Sequence, residues 1–153
     1  MTRIVFIVLF MLLQCACGTR PNHEATEKEV FDLVKTLERA NNSLDQETIL
    51  SLIDDSFTML QDGKRLAPGE TLKQIAMSMP EIKRLQSRFI DIKIKALAHD
   101  LALASFIFHD DIMMKDGTHM QKWGPTTLLF ERTVSGWKMI YGDSDHYDES
   151  PMD

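Results

Sequence analysis

Tyr141 and Asp143 stand in a stretch where Trp137, Met139, Tyr141, Asp143 and Asp145 occupy alternate positions. Residues two apart on a strand share a face, so this face would pass from apolar side chains to a phenol and two carboxylates. That suits the floor of a pocket with a wet mouth. It equally suits a core strand fraying into the acidic run of Asp143, Asp145, Asp148, Glu149 and Asp153. His109 and Asp111 are also two apart, and a carboxylate beside an imidazole can orient it as an acid/base pair. Trp123 adds an aromatic surface. Tyr141, Asp143, His109, Asp111 and Trp123 are therefore the predicted ligand-binding set, and no residue is assigned a catalytic role.

Other chemistries find less support. His109, Asp111, His119 and His146 include metal-ligand types, but no tight ligand motif joins them, so no metal site is predicted. The ten methionines are scattered and read as flexible core filler. There is no glycine-rich phosphate loop, nucleophile elbow or Cys/His nucleophile pair, and no cofactor is expected. A net charge of −6 with no basic stripe argues against nucleic acid as a partner.

The elements that would position these residues follow from periodicity and turn chemistry. Thr26 and Glu29 resemble a capping box ahead of Val30, Leu33, Val34, Leu37 and Ala40 at helical spacing, with the helix ending at Asn41-Asn42. Asp45 can cap a short second helix. A strand at Phe57 to Gln61 turns at Asp62-Gly63, and Pro68-Gly69 opens a third helix stopped by Pro80. From Phe89 to Ala96 the alternation predicts Ile90, Ile92, Ile94 and Ala96 on one face. Leu101 to Met114, His119 to Arg132 and Trp137 to Asp145 complete an antiparallel sheet. In the last hairpin Arg132 is predicted opposite Trp137, Leu128 opposite Tyr141, and Thr126 opposite Asp143.

Three helices enclosing a small hairpin, then a long curved sheet, resemble the nuclear transport factor 2-like (SnoaL-like) superfamily. The branch in question has ketosteroid-isomerase-like and kinase-association-domain-like members. The resemblance is carried by Asp54-Asp55-Ser56-Phe57, Asp62-Gly63-Lys64 with Gly69-Glu70, and Thr127 to Arg132 followed by Gly136 to Tyr141. It implies an α+β cone, with helices packed on a curved antiparallel sheet around a pocket, and a sheet-face homodimer. It also implies a small apolar ligand or an interaction role without established catalysis. The alternative is an isomerase, dehydratase or cyclase acting on a small carbonyl compound. The acidic base of the isomerase members would fall at Gln61, which cannot take a proton at neutral pH, and that argues against catalysis.

The first residues carry an address. Arg3 precedes ten apolar residues, Ile4 to Leu13, too few for a membrane-spanning helix of roughly 20 but suited to a signal-peptide core. Both cysteines follow, in Gln14-Cys15-Ala16-Cys17-Gly18. Cleavage before Cys17 would leave a lipidatable cysteine; cleavage after Gly18 would release a soluble domain. The expected layout is a signal over 1–16, a tether over 17–25, one domain over 26–147 and an acidic tail over 148–153. The protein is expected in a bacterial envelope, on the periplasmic side, held by a lipid on Cys17, without disulfides. In a bacterial host the full-length protein should partition into the detergent phase, and Cys17→Ser should move most of it to the aqueous phase; a wild-type protein already in the aqueous phase refutes lipidation.

Overall fold

The computed structural model describes residues 23–148. The apolar run and Cys17 lie outside the described residues, as do Glu149 to Asp153. Helix α1 (His23–Ser43) is followed by α2 (Gln46–Ser51), the hairpin β1 (Ile53–Gln61) and β2 (Lys64–Leu66), and α3 (Glu70–Ser78). A 3₁₀ turn at Met79–Glu81 leads into β3 (Ile82–Ala96), β4 (Leu101–Met114), β5 (His119–Thr133), β6 (Gly136–Ser144) and the short β7 (Tyr147–Asp148). The strand order is β2-β1-β6-β5-β4-β3, with β7 continuing along β5. Every pairing is antiparallel except β1 with β6, which is parallel, so the sheet is mixed. The helices close its concave face, and Val30, Val34, Phe57, Phe106, Leu128 and Phe130 are among the side chains they bury together.

Local chemistry explains most boundaries. Asp45 caps α2, accepting from Thr48 N–H at 3.0 Å. Gly69 takes a left-handed conformation (φ 78°) ahead of α3, and Pro80 sits in the turn that ends it. The predicted capping box is not formed: α1 already runs at His23, and Thr26 is buried inside it.

Two bulges reverse the alternation read from sequence. In β3, Ile90 pairs Ile107 but Lys93 pairs Ser105, so one extra residue is inserted where Asp91 adopts φ 58°. Leu85, Ser87 and Phe89 face inward before the bulge, and Ile94 and Ala96 after it. Ile90 therefore lies on the outer face, 39% exposed, rather than with Ile94. In β6, Phe130 pairs Met139 while Leu129 pairs Tyr141, making Ile140 the extra residue. Arg132 pairs Trp137 as predicted, but Leu128 opposes Gly142 and Thr126 opposes Ser144. A bulge sets two residues against one, so every side chain beyond it changes face.

Between Ser144 and Tyr147 the chain stays beside β5 without a regular ladder, which resumes in β7. Pro125 has no N–H to give, and Asp145 N–H reaches the Pro125 carbonyl at 3.3 Å. A Cβ on Gly124 would lie 1.7 Å from the Asp145 carbonyl oxygen, so backbone occupies the place of a side chain. Gly124→Ala must displace this segment, and we expect a loss of about 2–4 kcal/mol by denaturant unfolding. A loss below about 0.5 kcal/mol would show that the segment moves away at little cost.

Candidate functional site

A cavity of about 320 Å³ lies between the helices and the concave sheet face. Much of its sheet side is apolar, with Phe57, Phe106, Phe108, Leu128 and Met139; Leu37, Ile49 and Ile75 close it from the helices. Gln61, Asp110, His146, and the Thr126–Ser144 pair bring polar groups to the same wall. Thr126 and Ser144 bond each other at 2.8 Å, which satisfies two hydroxyls that would be costly to bury alone.

Asp110 is the cavity's carboxyl. It continues the inward face of β4 after Ala102, Ala104, Phe106 and Phe108, all buried. Opposite it on β3 is Ser87, whose hydroxyl donates to Asp110 Oδ1 at 2.5 Å. Burial pushes the Asp110 carboxyl above its ordinary range; the Ser87 hydrogen bond and the nearby His146 and His109 oppose that shift without cancelling it. His146 packs its ring 5.0 Å from that of Phe108. Asp62, at the β1–β2 turn, accepts from His146 N–H at 2.7 Å and lies 3.2 Å from its Nδ1. Burial raises the Asp62 carboxyl, but these contacts outweigh it and hold the group below its ordinary range. The wall thus holds a carboxyl whose pKa burial raises and an imidazole braced by a carboxylate.

None of the residues predicted from sequence lines this cavity. Tyr141 and Asp143 pair with Leu129 and Thr127 on the outer face, because the Ile140 bulge places Gly142 and Ser144 inside. His109 and Asp111 share a face as predicted, but it is the outer one. There Asp111 lies 3.1 Å from each of Arg84, His119 and Gln121, and the His119 and Gln121 contacts lead in holding it below its ordinary range. Trp123 is also outside, between His109 (ring centroids 6.3 Å apart) and Tyr147 (5.2 Å). Of the five, His109 and Asp111 line a second, more polar pocket of about 310 Å³ with Ser87, Arg88 and Gln121, which Asp110 also borders; Tyr141, Asp143 and Trp123 are not part of it. Gln61 does line the cavity, at the place the resemblance indicated. Asp110, the residue missed, shares parity with Phe106 and Phe108, and that was its signal. Among the described residues no three His, Cys, Asp or Glu side chains gather as a metal site requires.

Residues 30–147 match the SnoaL-like domain family. The chain belongs to that family. No curated protein matches the sequence, whereas many solved structures share the fold. A nuclear transport factor 2-like superfamily protein from Salmonella enterica serovar Typhimurium is 10% identical, with 85% of this chain and 95% of that one covered, at a TM-score of 0.69. A conserved protein from Planctomyces limnophilus is 16% identical, covering 82% and 99%, also at 0.69. The association domain of C. elegans CaMKII is 14% identical, covering 82% and 98%, at 0.64. At such identities these likenesses speak to the fold alone.

Asp110 also links the cavity to stability. A carboxyl whose folded pKa lies above its unfolded value of 3.8 stabilises the fold below pH 3.8 relative to neutral pH. That contribution is lost as pH rises through the folded pKa, because the charge must then be buried. Asp110→Asn keeps an acceptor for Ser87 and removes the charge. It should stabilise the protein by about 1 kcal/mol at pH 7, with the gain shrinking towards pH 3. Thermal unfolding across pH is the check; a variant less stable at neutral pH than at acid pH, relative to wild type, would contradict burial as the dominant cause.

Proposed function

We propose that this SnoaL-like domain binds a small, largely apolar molecule bearing one polar oxygen function, in an exported protein held to the envelope by a lipid on Cys17. The observation that carries the reading is the cavity itself: apolar on most of its wall, with Asp110 and His146 converging on it. Pockets that hold small molecules combine an apolar surface with a few fixed polar groups. A protonated Asp110 would donate to a ligand carbonyl, whereas an ionised one would accept from a hydroxyl.

One arrangement favours a second reading, acid/base catalysis of the isomerase, dehydratase or cyclase kind. His146 is braced by Asp62 and shares the cavity with a carboxyl of raised pKa, and such a pair can give and take protons on one substrate. Gln61 at the position of the isomerase base argues the other way.

A homodimer through the outer sheet face accompanies the binding reading. Its support is the apolar content of that face, where Leu103, Ile107, Leu129, Ile140 and Tyr141 are only half-buried.

Organic extraction of the purified full chain, followed by mass spectrometry, tests the binding reading. Wild type should carry a small molecule that Met59→Trp excludes, because Met59 lines the cavity and an indole there would fill much of it. Identical extracts from the two proteins would remove the reading. Sedimentation of the same material should give twice the chain mass, and a single-chain mass would remove the dimer.

A further inference from the structure

The Ser87 backbone is gripped from outside the sheet. Asn42, near the end of α1 and 45 positions away, donates from Nδ2 to the Ser87 carbonyl at 2.9 Å. Its Oδ1 accepts from Ser87 N–H at 2.6 Å. A side-chain amide carries both a donor and an acceptor and can match the N–H and C=O of one residue; a carboxylate lacks the donor and an ammonium the acceptor. The Ser87 side chain, buried at 6% exposure, has a single proton to give, and it goes to Asp110 Oδ1 at 2.5 Å. A continuous chain of bonds therefore runs from the helix through the backbone and hydroxyl of Ser87 to the cavity carboxyl.

We propose that Asn42 is a positioning residue for Asp110. By fixing the Ser87 backbone, it commits the Ser87 hydroxyl to Oδ1 and leaves Oδ2 to the ligand. This rests on the reading that Asp110 is the polar contact inside the cone. It sharpens that reading: the ligand meets one carboxyl oxygen, with the other already occupied by a donor. Asn42 itself does not line the cavity and acts only through Ser87. The other groups facing Asp110 belong to separate elements. His146 shares the cavity wall and is braced by Asp62; Lys122 stands opposite on β5, paired with Asp148; His109 is the chain neighbour. None of them is bonded to Asn42.

The test is the ¹³C carboxyl titration of Asp110 in the full chain, in wild type, Asn42→Ala, Ser87→Ala and the double variant. Removing the hydroxyl's hydrogen bond removes support for the charged form, so Ser87→Ala should move the midpoint upward. Asn42→Ala should move it in the same direction, and the double variant no further than Ser87→Ala alone, because both act through one bond. Glu38→Gln alters the neighbouring grip on Phe89 N–H without reaching Ser87, and should titrate as wild type. A role confined to holding the helix on the sheet would give additive effects, or none at all. Asn42→Ala titrating as wild type while Ser87→Ala shifts overturns the proposal, as does an additive double variant. Should Asn42→Ala not fold, Asn42→Ser takes its place, and a wild-type midpoint there is equally decisive. No ligand enters this titration, so its outcome stands apart from whether Met59→Trp excludes one.

Discussion

Among the described residues the outer edge of β3 has no neighbouring strand, and the way its backbone groups are satisfied governs the rest of the molecule. An open edge offers unpaired N–H and C=O groups to any passing strand. Here α1 covers it with side chains: Glu27 accepts from Ala96 N–H at 3.1 Å, Glu38 from Phe89 N–H at 2.7 Å, and Asn42 bonds both the N–H and the C=O of Ser87. Glu38 is buried while doing so and is paired with Lys35. A buried carboxylate without partners would be costly, and the backbone N–H and the ammonium together supply them. These bonds fix where α1 lies along the sheet. That in turn fixes which apolar side chains meet over Phe57 and Phe130, and how wide a gap the helices leave.

The same placement bears on what could be read from sequence. Elements were legible because their signals are local: Asp45 as a cap, Asp62-Gly63 as a hairpin turn and Pro80 as a stop all act where they stand. The three long strands from Leu101 onward were legible because turn residues bound them. The order of elements, which carries the family, needs no more than that. The facing of side chains does need more. Ile90, Ile92, Ile94 and Ala96 alternate without a break in sequence, yet Asp91 takes a left-handed conformation that few residues other than glycine adopt cheaply. Nothing local distinguishes Ile140 as the extra residue of β6. It is displaced because Met139 and Tyr141 are held opposite Phe130 and Leu129, adjacent residues of another strand.

Strand β4 hides its facing for a different reason. It has no bulge within its pairing to β5, so parity alone should place its residues. Yet both faces are rich in apolar side chains, with Leu101, Leu103 and Ile107 on one and Ala102, Ala104, Phe106 and Phe108 on the other. His109 and Asp111 are a pair of chemical types two positions apart. Asp110 between them carried no motif. The cue that separates the faces is size: two alanines and two aromatic rings on one side pack beneath a helix, whereas Leu101, Leu103 and Ile107 on the other side stay half-buried.

His146 shows how a site can depend on what a sequence omits. Gly124 contributes no side chain and Pro125 no N–H, and the passage of Asp145 over β5 uses both omissions. That passage carries His146 to the cavity wall beside Phe108, where Asp62 meets it. Asp62 reaches it from a turn whose φ of 50° costs something for any residue with a Cβ. An aspartate tolerates that conformation better than most and supplies the carboxylate as well, so one residue serves the turn and the histidine. The polar end of the cone is thus assembled from departures from regular strand geometry, while its apolar wall is built from regular alternation. Within this family fold the wall therefore sets where the cavity lies, and the departures set which polar groups face into it. Those departures are the features a pattern of alternating residues cannot carry.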